Sequence, residues 1–354
     1  MTLYRKYRPR VFSDVVGQGH ITGTLARQVV SGKLGHAYLF CGTRGTGKTS
    51  VAKILAQAVN CEALRENGDP CCECGSCVSI MGGVNTDVVE MDAASNNGVD
   101  NVRALRDEVL FAPSSSQFRV YIIDEVHMMT GAAFNALLKT LEEPPKHAIF
   151  ILATTEAHKV PITIQSRCQR FDFRRLSAKD IARQLAKVAD LEGILIEPAA
   201  CEIIGNLADG AMRDGLSLLE KAKTINNEQL TINNVFDVLG VANSGEIYEL
   251  VDSIIDKDMA KGLELVNKLA SKNGDVNNVF NLIFAHFSNL AVCKFGASGI
   301  LEVTELEKLQ EQTTKTSGEF LVKAMQKCRE MISVAKFSGL TKPLLESLVV
   351  ELCI

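Results

Sequence analysis

Residues 37–59 read AYLFCGTRGTGKTSVAKILAQAV: an apolar run, a loop with three glycines, then a helical pattern. Within them, 42–49 (GTRGTGKT) satisfies G-x-x-x-x-G-K-[ST], and strand, loop and helix follow in the order this motif requires. Glycines let backbone N–H groups curl around phosphate oxygens, and the helix that follows adds the partial positive charge of its N-terminus. Lys48 is placed to reach terminal phosphates, and Thr49 to give its hydroxyl to Mg²⁺. The turn formed by Gly42, Thr43, Arg44, Gly45, Thr46, Gly47, Lys48, Thr49 and Ser50 is therefore expected to cradle a nucleotide. A chance glycine-rich turn is the bland alternative, and the complete context argues against it.

Such a loop needs a second carboxylate on the metal side. In VYIIDEVH (120–127) an apolar strand ends at Asp124, the expected Mg²⁺ partner, and Glu125 can orient or deprotonate an attacking water. An isolated Asp-Glu at a strand end more often faces solvent. The next apolar run, IFILATTE (149–156), ends in Thr154-Thr155. If its strand neighbours that of Asp124, Thr155 can bond the water or the terminal phosphate; otherwise it is an ordinary strand exit. Arg167 in QSRCQRF (165–171) and Arg213 in ADGAMRDGL (208–216) are candidates to stabilise a transferring phosphoryl group from a neighbouring domain or subunit. Each reads equally well as a surface or ion-pair residue.

Outward from this centre, apolar runs at 37–41, 88–91, 120–123, 149–153 and a short 170–173 alternate with helical patterns, as in a parallel sheet flanked by helices. In GAAFNALLKTLEEPP (131–145), Phe134, Leu137, Leu138 and Leu141 share one helix face, and Pro144 and Pro145 end it. Beyond about Arg175 the strand runs vanish. Ser177 can cap a helix carrying Ile181, Leu185 and Val188, and further helical patterns complete a small unit ending near Gly240. A polar turn, VANSGE (241–246), then precedes a third block. There Leu250, Val251, Ile254 and Ile255 form one stripe, and Val279, Phe280, Ile283, Phe284, Phe287 and Leu290 another. The last pattern, LLESLVVELCI (344–354), stays apolar to its end, as a packed element does. The expected organisation is α/β over 1–175, a small helical domain over 176–242 and an all-helical domain over 243–354.

The 354 residues are 46% hydrophobic and 23% charged, the balance of a soluble globular chain. With 38 Lys and Arg against 42 Asp and Glu the net charge is −4, which excludes a surface basic all round but not a local basic face. No stretch approaches 18 uninterrupted apolar residues, so no membrane span is expected. MTLYRKYRPR has no apolar segment after its charges, so no secretory signal is expected and the cytoplasm is the expected location.

Five of the eleven cysteines fall in CEALRENGDPCCECGSC (61–77). Cys61, Cys71, Cys74 and Cys77 offer four thiolates suited to tetrahedral Zn²⁺, a closed structural site. Cys72, one residue from Cys74, is the poorer ligand, on spacing alone. Disulfides are the alternative in an oxidising compartment, and an iron–sulfur cluster is another, although its fourth ligand would be misplaced. The remaining six are expected in the core.

Taken together, YRKYRPRVFSDVVGQ (4–18), AYLFCGTRGTGKTS (37–50), the four-cysteine insertion, YIIDEVHMMT (121–130), LLKTLEEPP (137–145), ATTE (153–156), QSRCQRF and GAMRDGLSLLE (210–220) closely resemble the gamma/tau subunits of bacterial DNA polymerase III, the clamp-loader ATPases. That resemblance implies an AAA+ fold: a P-loop nucleotide-binding α/β domain, a helical lid and a helical collar that joins subunits. It implies ATP, Mg²⁺ and Zn²⁺ as cofactors. Arg167 then matches an arginine finger acting on ATP held by an adjacent subunit, Arg213 a lid arginine sensing the γ-phosphate, and Thr155 the first sensor. Tyr7, Arg8, Pro9, Val15, Val16 and Gly17 match a segment that packs around adenine. The implied partners are further copies of the chain, delta and delta-prime subunits, the sliding clamp and primer–template DNA, with no membrane. The family's longer form continues into regions that contact polymerase and helicase. For DNA phosphates the candidate is SNNGVDNVRALRDEV (95–109), where Asn96 and Asn97 can cap a helix carrying Arg103; an ordinary surface helix is the alternative.

Two rivals remain at this point. DEVH looks like a helicase box, but a helicase needs a second RecA-like domain for which 176–354 offers no strands. A non-catalytic nucleotide-binding assembly protein is the other, and intact Lys48, Thr49, Asp124 and Glu125 argue against it.

Overall fold

The computed structural model describes residues 1–225, 229–239, 244–272, 276–296, 306–335, 338 and 340–354. The chain forms two compact units, Met1–Thr224 and Thr231–Ile354.

The first unit is built on five parallel strands: β1 (Ala37–Cys41), β2 (Val88–Asp92), β3 (Arg119–Asp124), β4 (Ala148–Thr154) and β5 (Gln169–Asp172), in the order β2-β3-β4-β1-β5. Central strands of a parallel sheet are covered on both faces, and β1 and β4 are buried along their whole length. Alternation still sorts their side chains. Leu39, Tyr121, Ile123, Phe150 and Leu152 pack on one face with Val102, Leu105, Phe134 and Leu137. Tyr38, Phe40, Ile122, Ile149 and Ile151 pack on the other with Ile21, Leu25, Val51, Ile54 and Leu55. Edge strands β2 and β5 are more open, which explains why their runs are short and mixed.

The helices of this unit are α1 (Leu3–Lys6), α2 (Gly19–Ser31), α3 (Lys48–Val59), α4 (Gly75–Met81), α5 (Val99–Val109), α6 (Gly131–Glu142), α7 (Ile162–Gln165), α8 (Ala178–Glu192), α9 (Pro198–Leu207) and α10 (Met212–Ile225). Helix α6 stops before Pro144, and Ser177 caps α8 by accepting from the Asp180 N–H. Beyond Arg175 the described residues form no strand except an isolated bridge between Ile196 and Leu230.

The second unit is helical: α11 (Ile232–Leu239), α12 (Ser244–Ile255), α13 (Met259–Lys272), α14 (Val276–Lys294), α15 (Leu306–Lys315), α16 (Gly318–Ala335) and α17 (Thr341–Cys353). Both expected stripes lie in its core, with Ile255 and Phe284 partly covered, and Leu345, Leu348, Val349 and Leu352 of α17 join them. A buried polar chain crosses this core: His286 Nε2 lies 2.6 Å from Gln312 Oε1, and Gln312 Nε2 donates to Asp252 Oδ1 at 2.9 Å. The boundary at Gly240 and the first part of the VANSGE turn lie outside the described residues. Among the described residues no helix is long and apolar enough to cross a membrane.

Candidate functional site

Strand β1 ends at Cys41, bonded on either side: Gly42 N donates to Thr154 O at 3.2 Å and Phe173 N to Cys41 O at 2.7 Å. The chain must then turn sharply. Gly42 takes φ +151°, where a Cβ would meet Phe173 O at 2.6 Å, and Gly47 takes φ +104° beneath open space. This is a backbone cradle that only glycine permits. Lys48, 6% exposed, donates from Nζ to Gly42 O at 2.8 Å and Thr43 O at 2.9 Å. Burial pulls its pKa down, against the opposing pull of Glu125 and Asp124.

Because β4 lies between β1 and β3, the C-terminal ends of all three open on one crevice, where ligands bind in such sheets. Thr49 Oγ1 donates to Asp124 Oδ2 at 2.7 Å, bringing together a hydroxyl and a carboxylate that suit an oxygen-seeking cation such as Mg²⁺. Glu125 follows at φ +48°, a strained conformation for a non-glycine residue. Its Oε2 accepts from Thr155 Oγ1 at 3.1 Å and lies 3.5 Å from His127 Nδ1.

The cleft over this crevice has a volume of about 390 Å³. Tyr7, Arg8, Pro9, Val15 and Val16 line it, with Arg44–Ser50 residues of the loop, Asp124, Glu125 and Arg213. Gly17, also expected here, is not among the lining residues; it takes φ +72°, where a Cβ would collide with Leu176. Arg8 Nε donates to Ser50 Oγ at 3.0 Å; burial lowers its pKa while Glu90 and Asp124 hold it up. Arg167 is not brought to this cleft. It sits after α7, donating to Thr163 O at 2.7 Å and pairing with Glu142 of α6 at 2.6 Å.

Sequence reasoning passed over Tyr4, Asp14, Leu176, Gln184, Met212 and Leu216, which also line the cleft. It also passed over Gln18, fully buried, whose Nε2 donates to Arg174 O at 2.7 Å and whose Oε1 accepts from Arg174 N at 3.2 Å. Its adjacency to Val16-Gly17 was the available signal; a buried amide that ties two backbone segments leaves no period in the sequence.

The cysteine insertion follows α3 and includes α4. The sulfurs of Cys61, Cys71, Cys74 and Cys77 all lie within 4.8 Å of one another. A tetrahedron with metal–sulfur bonds of ~2.3 Å needs sulfur separations of roughly 3.8 Å, so the set fits one ion. Backbone N–H groups of Glu73 and Cys74 point at Cys71 Sγ and draw its pKa down to about 6, while burial pushes Cys77 up. Cys72 takes φ +66° and turns its sulfur toward Arg10 O and Pro70 O, 3.7 Å from each, away from the four. Of the other cysteines, Cys41, Cys201, Cys328 and Cys353 are buried, and Cys168 and Cys293 partly so.

One expectation is corrected. Neither Asn96 nor Asn97 caps α5; the capping position is Gly98, with no side-chain bond. Asn96 Nδ2 is engaged by Asp92 O at 3.1 Å in the turn after β2, so the helix starts beyond it. Arg103 pairs with Asp100, an acid in the first turn of the same helix.

Residues 17–177 match the family profile described as DNA polymerase III, delta subunit, and 180–226 that of the DNA polymerase III clamp loader subunit, ATPase lid domain. The DNA polymerase III subunit tau of Bacillus subtilis is 44% identical over 99% of this chain and 63% of its own. The subunit gamma of Buchnera aphidicola subsp. Schizaphis graminum is 36% identical over 93% of this chain and 92% of its own. The chain thus spans less than two thirds of the Bacillus tau relative. Among solved structures, the Thermotoga maritima RuvB Holliday junction branch migration motor matches with a TM-score of 0.50 and 19% identity, over 71% of this chain and 80% of its own. That likeness is one of fold, a parallel α/β core followed by helical elements.

Proposed function

The chain belongs to the gamma/tau family of DNA polymerase III subunits, and from that membership we propose that it is an ATPase subunit of a bacterial clamp loader, acting in the cytoplasm to load a sliding clamp onto primed DNA. The observation that carries this reading is the convergence of Lys48, Thr49, Asp124, Glu125 and Arg213 on one cleft. Tyr7, Arg8, Pro9, Val15 and Val16 supply its mixed apolar and cationic wall, suited to adenine and ribose. The division into a nucleotide domain (1–175), a lid (176–242) and a collar (243–354) is part of this proposal.

Each side chain then has a task. The loop N–H groups and Lys48 hold the phosphates. Thr49 and Asp124 hold Mg²⁺, which when bound spreads the negative charge of the β- and γ-phosphates. Glu125 accepts a proton from the attacking water, and Thr155, bonded to Glu125, keeps that carboxylate aimed. Arg213 approaches the γ-phosphate from the lid. Arg167, remote from its own cleft, acts on ATP held by a neighbouring subunit. Cys61, Cys71, Cys74 and Cys77 hold a structural Zn²⁺. Further copies of the chain, delta and delta-prime subunits, the clamp and primer–template DNA are the partners. ATP favours the clamp-opening arrangement by binding it more tightly than the alternative.

The test is ATP turnover by the chain reconstituted with delta-type partners, clamp and primed DNA. Lys48→Ala should abolish the stimulated rate; full stimulated turnover by that variant overturns the assignment.

A further inference from the structure

Arg213 reaches the cleft without a carboxylate partner among the described residues. Its guanidinium rests instead on the ring of Tyr4, with Cζ 4.8 Å from the centroid, and both residues line the cleft. Tyr4 is carried by α1, a single turn that could not hold a position unaided. Its neighbours fasten it. Leu3 is buried and its N–H donates to Glu220 Oε2 of α10 at 3.3 Å. Lys6 Nζ and Tyr7 Oη both donate to Glu192 Oε1 at the end of α8, at 2.5 and 2.8 Å, and Lys223 lies 3.6 Å from the other oxygen. The ring is thereby fixed to α8 and to α10, the helix that carries Arg213.

We propose that Tyr4 is a positioning residue for Arg213, presenting its guanidinium to the terminal phosphate of a bound nucleoside triphosphate. The inference rests on the reading of the cleft as an ATP site. A carboxylate in the place of Tyr4 would neutralise the arginine and compete with phosphate for its N–H groups. The aromatic face and neutral hydroxyl of Tyr4 hold the cation more weakly than a carboxylate would, so a polyanion captures the arginine without first breaking an ion pair. Such a platform lowers the conformational freedom that Arg213 loses on binding.

The experiment measures the affinities of the full chain for ATP and for ADP, each with Mg²⁺, in the unsubstituted protein, Tyr4→Phe, Tyr4→Leu, Arg213→Ala and the double variant Tyr4→Leu/Arg213→Ala. Tyr4→Phe keeps the ring and should stay within about twofold for both nucleotides. Tyr4→Leu should weaken ATP about two- to fivefold and leave ADP unchanged, and should add nothing once Arg213 is alanine. Should Tyr4→Leu fail to fold, Tyr4→Met, apolar but without a ring, gives the same comparison. Equal weakening of ATP and ADP, or full additivity with Arg213→Ala, overturns the role of Tyr4 alone. An unsubstituted chain that does not bind ATP, or one whose ATP affinity Lys48→Ala leaves intact, overturns the reading of the cleft itself and the inference with it.

Discussion

Asp87, 1% exposed at the foot of β2, has both carboxylate oxygens saturated. Oδ1 accepts from Ser114 N and Oγ at 2.8 and 3.1 Å, and Oδ2 from the N–H groups of Ser115 and Ser116 at 2.8 and 2.9 Å. Burial alone would raise its pKa, but these donors favour the charged form and hold it at about 2, below the ordinary 3.8. A depressed carboxylate contributes stability that is present above the unfolded value and lost as pH falls through the folded one. The contribution, about 2 kcal/mol for a shift of this size, should therefore disappear between roughly pH 4 and pH 2. Urea unfolding at stepped pH checks this: Asp87→Asn should be less stable at neutral pH and should flatten the slope across that window. An unchanged slope would refute it. The opposite case is Tyr121, whose fully buried hydroxyl finds no hydrogen-bond partner among the described residues although its ring stacks on Phe150 at 5.3 Å. An aromatic packs for its area, and its polar tip can be tolerated at a modest cost.

At the scale of elements, the cysteine insertion is a small unit held by its four clustered sulfurs and by buried Asp69, whose Oδ1 accepts from Phe12 N at 2.7 Å. Helix α4 is seven residues long, too short to persist alone, and contributes just Cys77 and Ile80 as buried side chains. On the proposed assignment of a metal to the four thiolates, binding of the ion supplies the rest of its order. Purified protein should contain about one equivalent of zinc, and Cys74→Ser should lose it and expose 61–81 to limited proteolysis while ATP still binds. Iron with visible absorbance, or unaltered proteolysis after metal loss, would contradict the assignment. Helix α5 makes a complementary point. Its apolar face is readable from Val102, Leu105 and Val109, yet its start is set by Gly98 because Asn96 is drawn into the turn after β2. Helix faces are dictated by periodicity; helix ends are dictated by competition for single hydrogen bonds.

At the scale of the whole molecule, Arg167 is not among the residues lining the cleft of its own chain and is paired with Glu142. If it serves a neighbouring subunit, Lys48→Ala and Arg167→Ala chains should each be inactive in a reconstituted loader, with Arg167→Ala losing at least about 100-fold in turnover. Mixed in one assembly they should recover part of the rate, because an intact loop on one chain then meets an intact arginine on the next. No recovery on mixing would place Arg167 elsewhere in the mechanism.

What the sequence by itself determined about this chain was the chemistry that runs through contiguous residues. GTRGTGKT, the strand-end Asp124-Glu125 and the cysteine spacing each have their geometry built into neighbouring positions, so local backbone rules suffice to read them. The alternation of apolar runs likewise announced a parallel sheet. Only the tertiary structure decided the strand order, which sets β4 between β1 and β3 and lets Thr155 meet Glu125. It alone joined Gln18 to Arg174, 156 positions apart, and Tyr4 to Arg213, whereas the meeting of Thr49 and Asp124, 75 apart, was expected from the motif and gained from the structure only its geometry. Such pairings follow from how buried surfaces close on one another, and distance along the chain carries no record of them.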